Sequence, residues 1–61
     1  MGAFEEQLFT LMSGQQIGVT VSQLTAITGE PKNKITRALQ KLKDKNYVVH
    51  VGTIWQVRKI R

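Results

Sequence analysis

The hydrophobic residues of this chain recur first at helical intervals and later at alternating ones, so helices are predicted before strands. A first helix is predicted over residues 3–13, because its apolar residues share one helical face. These residues are Phe4, Leu8, Leu11 and Met12. Gly14 follows, and we expect it to end the helix in the left-handed conformation.

A second, shorter helix is predicted over residues 21–28. Thr20 and Gln23 have the spacing of a capping box, and Gly29 is expected to stop the helix. The residues expected to point into the core are Val21, Leu24 and Ile27. The β-branched residues at 19–21 also leave open a short strand between the first two helices.

The third helix has the clearest pattern and is predicted over residues 32–45. Pro31, at the N-terminal boundary of this range, fits the first helical position, where a missing N–H is no loss. The apolar residues follow the i, i+3, i+4, i+7 spacing of one buried face. They are Ile35, Ala38, Leu39 and Leu42. Asn46 is expected to end the helix in the left-handed conformation.

The last part of the chain predicts a β-hairpin. β-Branched and aromatic residues fill positions 47–51 and 54–57, and Gly52-Thr53 between them is typical of a type II′ turn. The residues expected to cover the helices are Val48, Trp55 and Val57, whereas Tyr47, Val49, Val51 and Ile54 would lie on the outer face. Such an apolar outer face is either an interaction surface or is covered by a third strand or the C-terminal residues.

Composition narrows the class of protein. The chain has 61 residues, no cysteine and one histidine, so we expect a single domain over residues 1–61 with no disulfide, metal site or cofactor. No apolar run reaches the roughly 20 residues of a membrane span. We therefore expect a cytoplasmic protein associated with the nucleoid, or a nuclear protein if the host is a eukaryote. Neither a membrane nor a small-molecule substrate is expected as a partner.

The charge is divided unevenly along the chain. Residues 1–31 contain three glutamates and no lysine or arginine, whereas residues 32–61 contain all nine basic residues and one aspartate. A strongly basic half favours a polyanion as partner, and double-stranded DNA is the polyanion we expect. The alternative is a basic surface that only keeps the protein in solution.

The order of predicted elements resembles the winged helix-turn-helix of bacterial and viral regulators. The resemblance rests on residues 19–29, followed by residues 34–42, and extends over nearly the whole chain. It implies an α+β fold of three helices and a C-terminal β-hairpin, with the third helix as the DNA-reading element.

A weaker resemblance is to the Zα winged helices, which bind left-handed Z-form duplexes. Lys32, Arg37 and Trp55 match that family. Thr36, Gln40 and Thr53-Ile54 stand where the family has an Asn, a Tyr and a proline pair. The missing Tyr is the stacking residue typical of the family, so a Z-form duplex is the lesser alternative.

The polar face of the third helix supplies the candidate contacts. In a helix-turn-helix the second helix of the motif enters the major groove and reads base edges. The base-reading candidates are Asn33, Thr36, Arg37 and Gln40. The phosphate-binding candidates are Lys32, Lys34, Lys41, Lys43, Arg58 and Lys59. Asp44 lies on the same face and would repel phosphate.

Two functions from different classes follow from these patterns. One is a DNA-binding protein acting in transcription or recombination. The other is a protein-interaction module that uses the outer hairpin face, for a homodimer or for another protein. An enzyme is not expected, because the four carboxylates are scattered and the chain has no glycine-rich phosphate loop.

Overall fold

The computed structural model describes residues 2–15 and 17–58. Within them, three α-helices precede a two-stranded antiparallel hairpin, an α+β layout consistent with a winged helix. The elements are α1 (Ala3–Ser13), α2 (Val21–Thr28), α3 (Lys32–Asp44), β1 (Val48–Val51) and β2 (Ile54–Val57). The predicted order and fold class are confirmed. No helix in these residues is long and apolar enough to cross a membrane.

The first helix, α1, has the predicted bounds but ends differently from the prediction. Leu8 and Met12 are buried, and Phe4 packs against the core beside them. Gly14 has φ −78° and ψ −9°, so the predicted left-handed conformation is wrong. Its N–H donates to the carbonyl of Leu11 at 3.3 Å, three residues back. Such a tightened last turn needs no positive φ.

The second helix, α2, begins with the predicted capping box. The Thr20 N–H donates to Gln23 Oε1 at 2.8 Å, and the Gln23 N–H donates to Thr20 Oγ1 at 3.2 Å. Gly29 follows the helix with φ +73°, as expected of a left-handed stop.

The expected inward position of Ile27 is wrong, since this residue is 54% exposed. Leu24 is buried and Val21 packs against the core, as predicted, and the half-buried Thr25 and Thr28 complete the inward face. Their hydroxyls donate to carbonyls four residues back, at 2.9 and 2.7 Å, so they are satisfied within α2. This face is centred away from Ile27, about 100° around the helix from it.

The third helix, α3, begins at Lys32, as predicted, and ends one residue earlier than predicted. Pro31 is the cap residue, with ψ 150°, so its assignment to the first helical position is wrong. Its carbonyl accepts the N–H groups of Lys34 and Ile35 and so closes the first turn. The predicted apolar face is confirmed: Ile35, Ala38, Leu39 and Leu42 are all buried. Asn46 has φ +67°, the left-handed conformation expected after this helix.

The hairpin has the predicted register, with Val48 opposite Val57 and Val51 opposite Ile54. Gly52 has φ +62°, as the first central residue of a type II′ turn requires. The short strand that the sequence left open before α2 is present as a single antiparallel bridge from Val19 to Trp55 in β2. Their two N–H···O bonds measure 2.9 and 2.7 Å.

The core lies where the three helices meet the inner face of the hairpin. It is formed by Leu8, Met12, Val19, Leu24, Ile35, Ala38, Leu39, Leu42, Val48 and Trp55. The α3 helix contacts α1, α2 and β1, so its position is set from three sides.

The outer face of the hairpin is partly covered. A Cβ built on Gly18 would overlap Ile54 Cγ2, so the connector before α2 lies directly on that side chain. The Tyr47 ring packs edge-on against Phe9, with the ring centroids 5.5 Å apart. Val51 nevertheless remains 63% exposed. The segment that contains Gly18 and Val19 therefore covers part of Ile54, which still remains exposed, and leaves Val51 uncovered.

Candidate nucleic-acid interface

The solvent-facing ridge of α3 carries most of the predicted base-reading side chains. Asn33, Arg37 and Gln40 are exposed, and Asp44 continues the same line. A helix rises 1.5 Å per residue, so Asn33 and Gln40 lie about 10 Å apart along the axis. The major groove of B-form DNA is about 12 Å wide and admits one α-helix. This ridge therefore has the dimensions of a groove-reading surface.

Burial of the opposite face keeps this ridge turned outward. Ile35, Leu39 and Leu42 have no exposed surface, so the helix cannot rotate about its axis without opening the core. The left-handed turn at Gly29 separates α2 from α3 by three residues. Such a short connection between two packed helices holds the start of α3 in place.

Two of the predicted phosphate-binding lysines are paired with carboxylates. Lys34 Nζ lies 3.2 Å from Glu30 Oε1 and 4.7 Å from the centre of the Phe4 ring. Lys41 Nζ lies 3.5 Å from Glu5 Oε2. Both lysines are on the side of α3 that faces α1, which we call the α1-side flank. On this flank the positive charge is partly neutralised within the protein.

Glu5 is held in place by a second contact. Its Oε1 accepts the Gly2 N–H at 3.0 Å, as the glutamate of a capping box does, although Gly2 has no side chain to make the reciprocal bond. The hydrogen bond from Gly2 holds the pKa of the Glu5 carboxyl below its usual range, and the nearby charges of Lys41 and Lys45 act in the same direction. Glu5 is therefore charged at neutral pH, and its orientation is fixed.

The other side of α3 is different. Lys32 and Lys43 are exposed there, and they form no ion pair with any residue among 2–15 and 17–58. Thr36 lies between them and is half-buried, which limits its reach toward a base. The lysines most available to phosphate are therefore on the flank away from α1.

Arg58, which directly follows β2, lies away from the hairpin tip. Arg58 Nη1 donates to Asn46 Oδ1 at 3.3 Å, and the Arg58 N–H donates to the Tyr47 carbonyl. These bonds place Arg58 at the base of the hairpin, beside the C-terminal end of α3. The predicted phosphate contact at Lys59 lies outside the described residues.

Trp55 closes the core beneath the hairpin. It is 3% exposed, and the His50 ring stacks on it with the centroids 3.9 Å apart and the planes 6° from parallel. Trp55 therefore presents almost no surface to a nucleic acid. Of the three residues that resemble the Zα pattern, only Lys32 and Arg37 lie on the surface.

The pairing of lysines on the α1-side flank was not predicted from the sequence. Glu30 and Lys34 are four residues apart across the start of α3, a spacing that the sequence displays. Glu5 and Lys41 belong to different helices, so no local spacing relates them. Only the packing of α1 on α3 brings the two side chains together.

Comparison of the chain with protein families, with curated proteins and with solved structures gave no match.

Proposed function

We propose that this protein binds double-stranded DNA as a winged helix-turn-helix and inserts α3 into the major groove. The proposed role is regulation of transcription or recombination, in the cytoplasm at the nucleoid or in a eukaryotic nucleus. Arg37 would donate to guanine O6 and N7, and Asn33 and Gln40 would pair with adenine. Lys32 and Lys43 would hold the phosphate backbone.

One observation carries this proposal. The buried face of α3 fixes the helix so that Asn33, Arg37 and Gln40 project from one exposed ridge. All three side chains are of the types that make bidentate contacts with base edges. The helix also carries five basic residues against one acidic residue, which suits a polyanion.

The first experiment is an amide chemical-shift titration of labelled protein with a mixed-sequence B-form duplex at low and at moderate salt. We expect shifts clustered on residues 32–43 that weaken as salt rises, because phosphate contacts release counterions. Shifts confined to the outer hairpin face, or no clustered shifts at low salt, would contradict the proposal.

Arg37 provides the test of base reading. After selection of a preferred duplex from a random pool, wild type, Arg37→Ala and Arg37→Lys are compared on that duplex and on a scrambled one. Lysine keeps the charge but loses the planar fork, so Arg37→Lys should lose sequence preference while keeping its affinity for the scrambled duplex. The expected loss of discrimination is roughly 1–3 kcal/mol. Unchanged discrimination in Arg37→Lys would refute base reading by Arg37.

A second candidate function is a protein-interaction module, and the exposed Val51 favours it. Val51 and Ile54 lie opposite each other at the hairpin tip, and both are exposed apolar residues. An apolar tip of this kind suits contact with a protein surface, either a second copy or another chain. Val51→Ser, which keeps the net charge, should weaken such an association without changing DNA binding. Sedimentation velocity measures the association, and the same duplex titration measures DNA binding.

A further inference from the structure

One carboxylate lies beside the proposed DNA-binding helix and already occupies one of its lysines. Glu5 belongs to α1, yet its Oε2 lies 3.5 Å from Lys41 Nζ on α3. The Glu5 side chain is 13% exposed and the Lys41 side chain 65% exposed. The lysine can therefore swing toward a ligand, whereas the carboxylate stays where it is.

Three features keep Glu5 in this place. Its other oxygen accepts the Gly2 N–H at 3.0 Å, so the two oxygens serve two different donors. The first turn of a helix also stabilises a negative charge. Phe4, the preceding residue, packs against the core and anchors the start of α1.

We propose that Glu5 is an affinity-limiting residue that competes with DNA phosphate for Lys41. This inference rests on the proposed function and says how a residue of the protein itself limits affinity at that same site. A phosphate that approaches Lys41 meets the fixed carboxylate as well, so binding there must displace an existing ion pair and overcome repulsion between like charges. The DNA backbone would consequently be held mainly by Lys32 and Lys43, on the flank away from α1.

The chain provides a matched pair of variants for the test. Glu5→Gln removes the charge but keeps an oxygen for the Gly2 N–H, since glutamine also serves in a capping box. Glu6→Gln removes one negative charge from the same helical turn, and among the described residues Glu6 forms no ion pair. Both variants change the net charge equally, so a difference between their affinities for DNA depends on where the charge was removed. Melting curves establish that both are folded.

Affinity for a mixed-sequence duplex is measured by fluorescence anisotropy over a range of salt concentrations. We expect Glu5→Gln to bind up to about fivefold more tightly at low salt, a gain equivalent to one exposed ion pair. Its plot of log K against log salt should be steeper by about 0.9, because one further phosphate is neutralised. Glu6→Gln should remain close to wild type in both quantities.

A double-mutant cycle shows whether the gain passes through Lys41. Lys41→Gln should weaken binding little in the wild type, where Glu5 occupies the lysine, but clearly in Glu5→Gln. Equal losses in the two backgrounds would overturn the inference. Equal affinities of the Glu5→Gln and Glu6→Gln variants would do so too.

The results separate failure of this inference from failure of the proposed function. Wild type that binds the duplex, with Glu5→Gln indistinguishable from it, overturns the inference alone. No binding by wild type or by Glu5→Gln at low salt overturns both. Binding by Glu5→Gln but not by wild type supports the inference in its strongest form, in which Glu5 blocks the site.

Discussion

The turn between α2 and α3 sets the direction in which α3, the candidate DNA-reading helix, follows α2. Gly29 is the critical residue of this turn. Its φ of +73° lies in the left-handed region, and a Cβ added there would meet no atom within 4 Å. Replacement by alanine would therefore test backbone conformation alone, without a steric clash. Gly14 offers the opposite case, since it also follows a helix but has φ −78°.

The sizes of the two effects follow from these angles. A left-handed conformation costs an alanine about 1–2 kcal/mol. Alanine also reduces the conformational entropy of the unfolded chain, which stabilises the folded state by about 0.4–1 kcal/mol. Gly29→Ala should thus lower the free energy of unfolding by about 1 kcal/mol, which lowers Tm by about 4–8 °C in a chain of this size. Gly14→Ala has no conformational cost and should raise stability by about 0.5 kcal/mol.

Thermal and urea unfolding followed by circular dichroism measure both effects. Gly29→Asn serves as an intermediate control, because asparagine adopts the left-handed conformation more readily than alanine. We expect stability to decrease in the order Gly14→Ala, wild type, Gly29→Asn, Gly29→Ala. A Gly29→Ala protein as stable as Gly14→Ala would refute the left-handed turn.

Two further predictions concern the core and the charge of α1. Leu39→Ala should destabilise the protein by about 2–5 kcal/mol because the side chain is completely buried, and urea unfolding beside the exposed control Gln40→Ala measures the loss. Because the pKa of Glu5 is lowered in the folded protein, its charged carboxylate stabilises the fold at neutral pH. This stabilisation is lost as pH falls below the usual glutamate range and through the lower pKa of the folded state. Glu5→Gln should flatten this acid dependence in melting curves recorded between pH 6 and 2 (about the range that brackets glutamate titration), and an unchanged dependence would contradict the assignment.

Hydrophobic periodicity together with local turn and capping signals was sufficient to predict the elements of this fold. The spacing of Ile35, Ala38, Leu39 and Leu42 admits only one buried face on a helix, so α3 and its outward ridge followed directly. The hairpin register followed from Gly52-Thr53, because a two-residue turn fixes every pair beyond it. Local signals such as the Thr20 capping box were confirmed for the same reason: both partners lie within one turn.

The predictions that failed concern the orientation of one helix on its neighbour and the local geometry at helix ends. Ile27 was expected in the core, but the orientation of α2 turns the half-buried Thr25 and Thr28 inward instead. Gly14 was expected to be left-handed, but a tightened turn ends α1 without it. The apolar pattern of a short helix does not encode which of its edges meets the neighbouring helix.

The candidate site shows the same division between sequence and tertiary structure. The sequence determined that a basic, amide-bearing ridge would face away from the core, because the apolar face of the same helix had to be buried. The pairing of Lys41, by contrast, depends on the packing of α1 on α3, which brings Glu5 to this lysine. Interactions between elements distant in the chain depend on helix position and side-chain reach, and neither is written in local spacing.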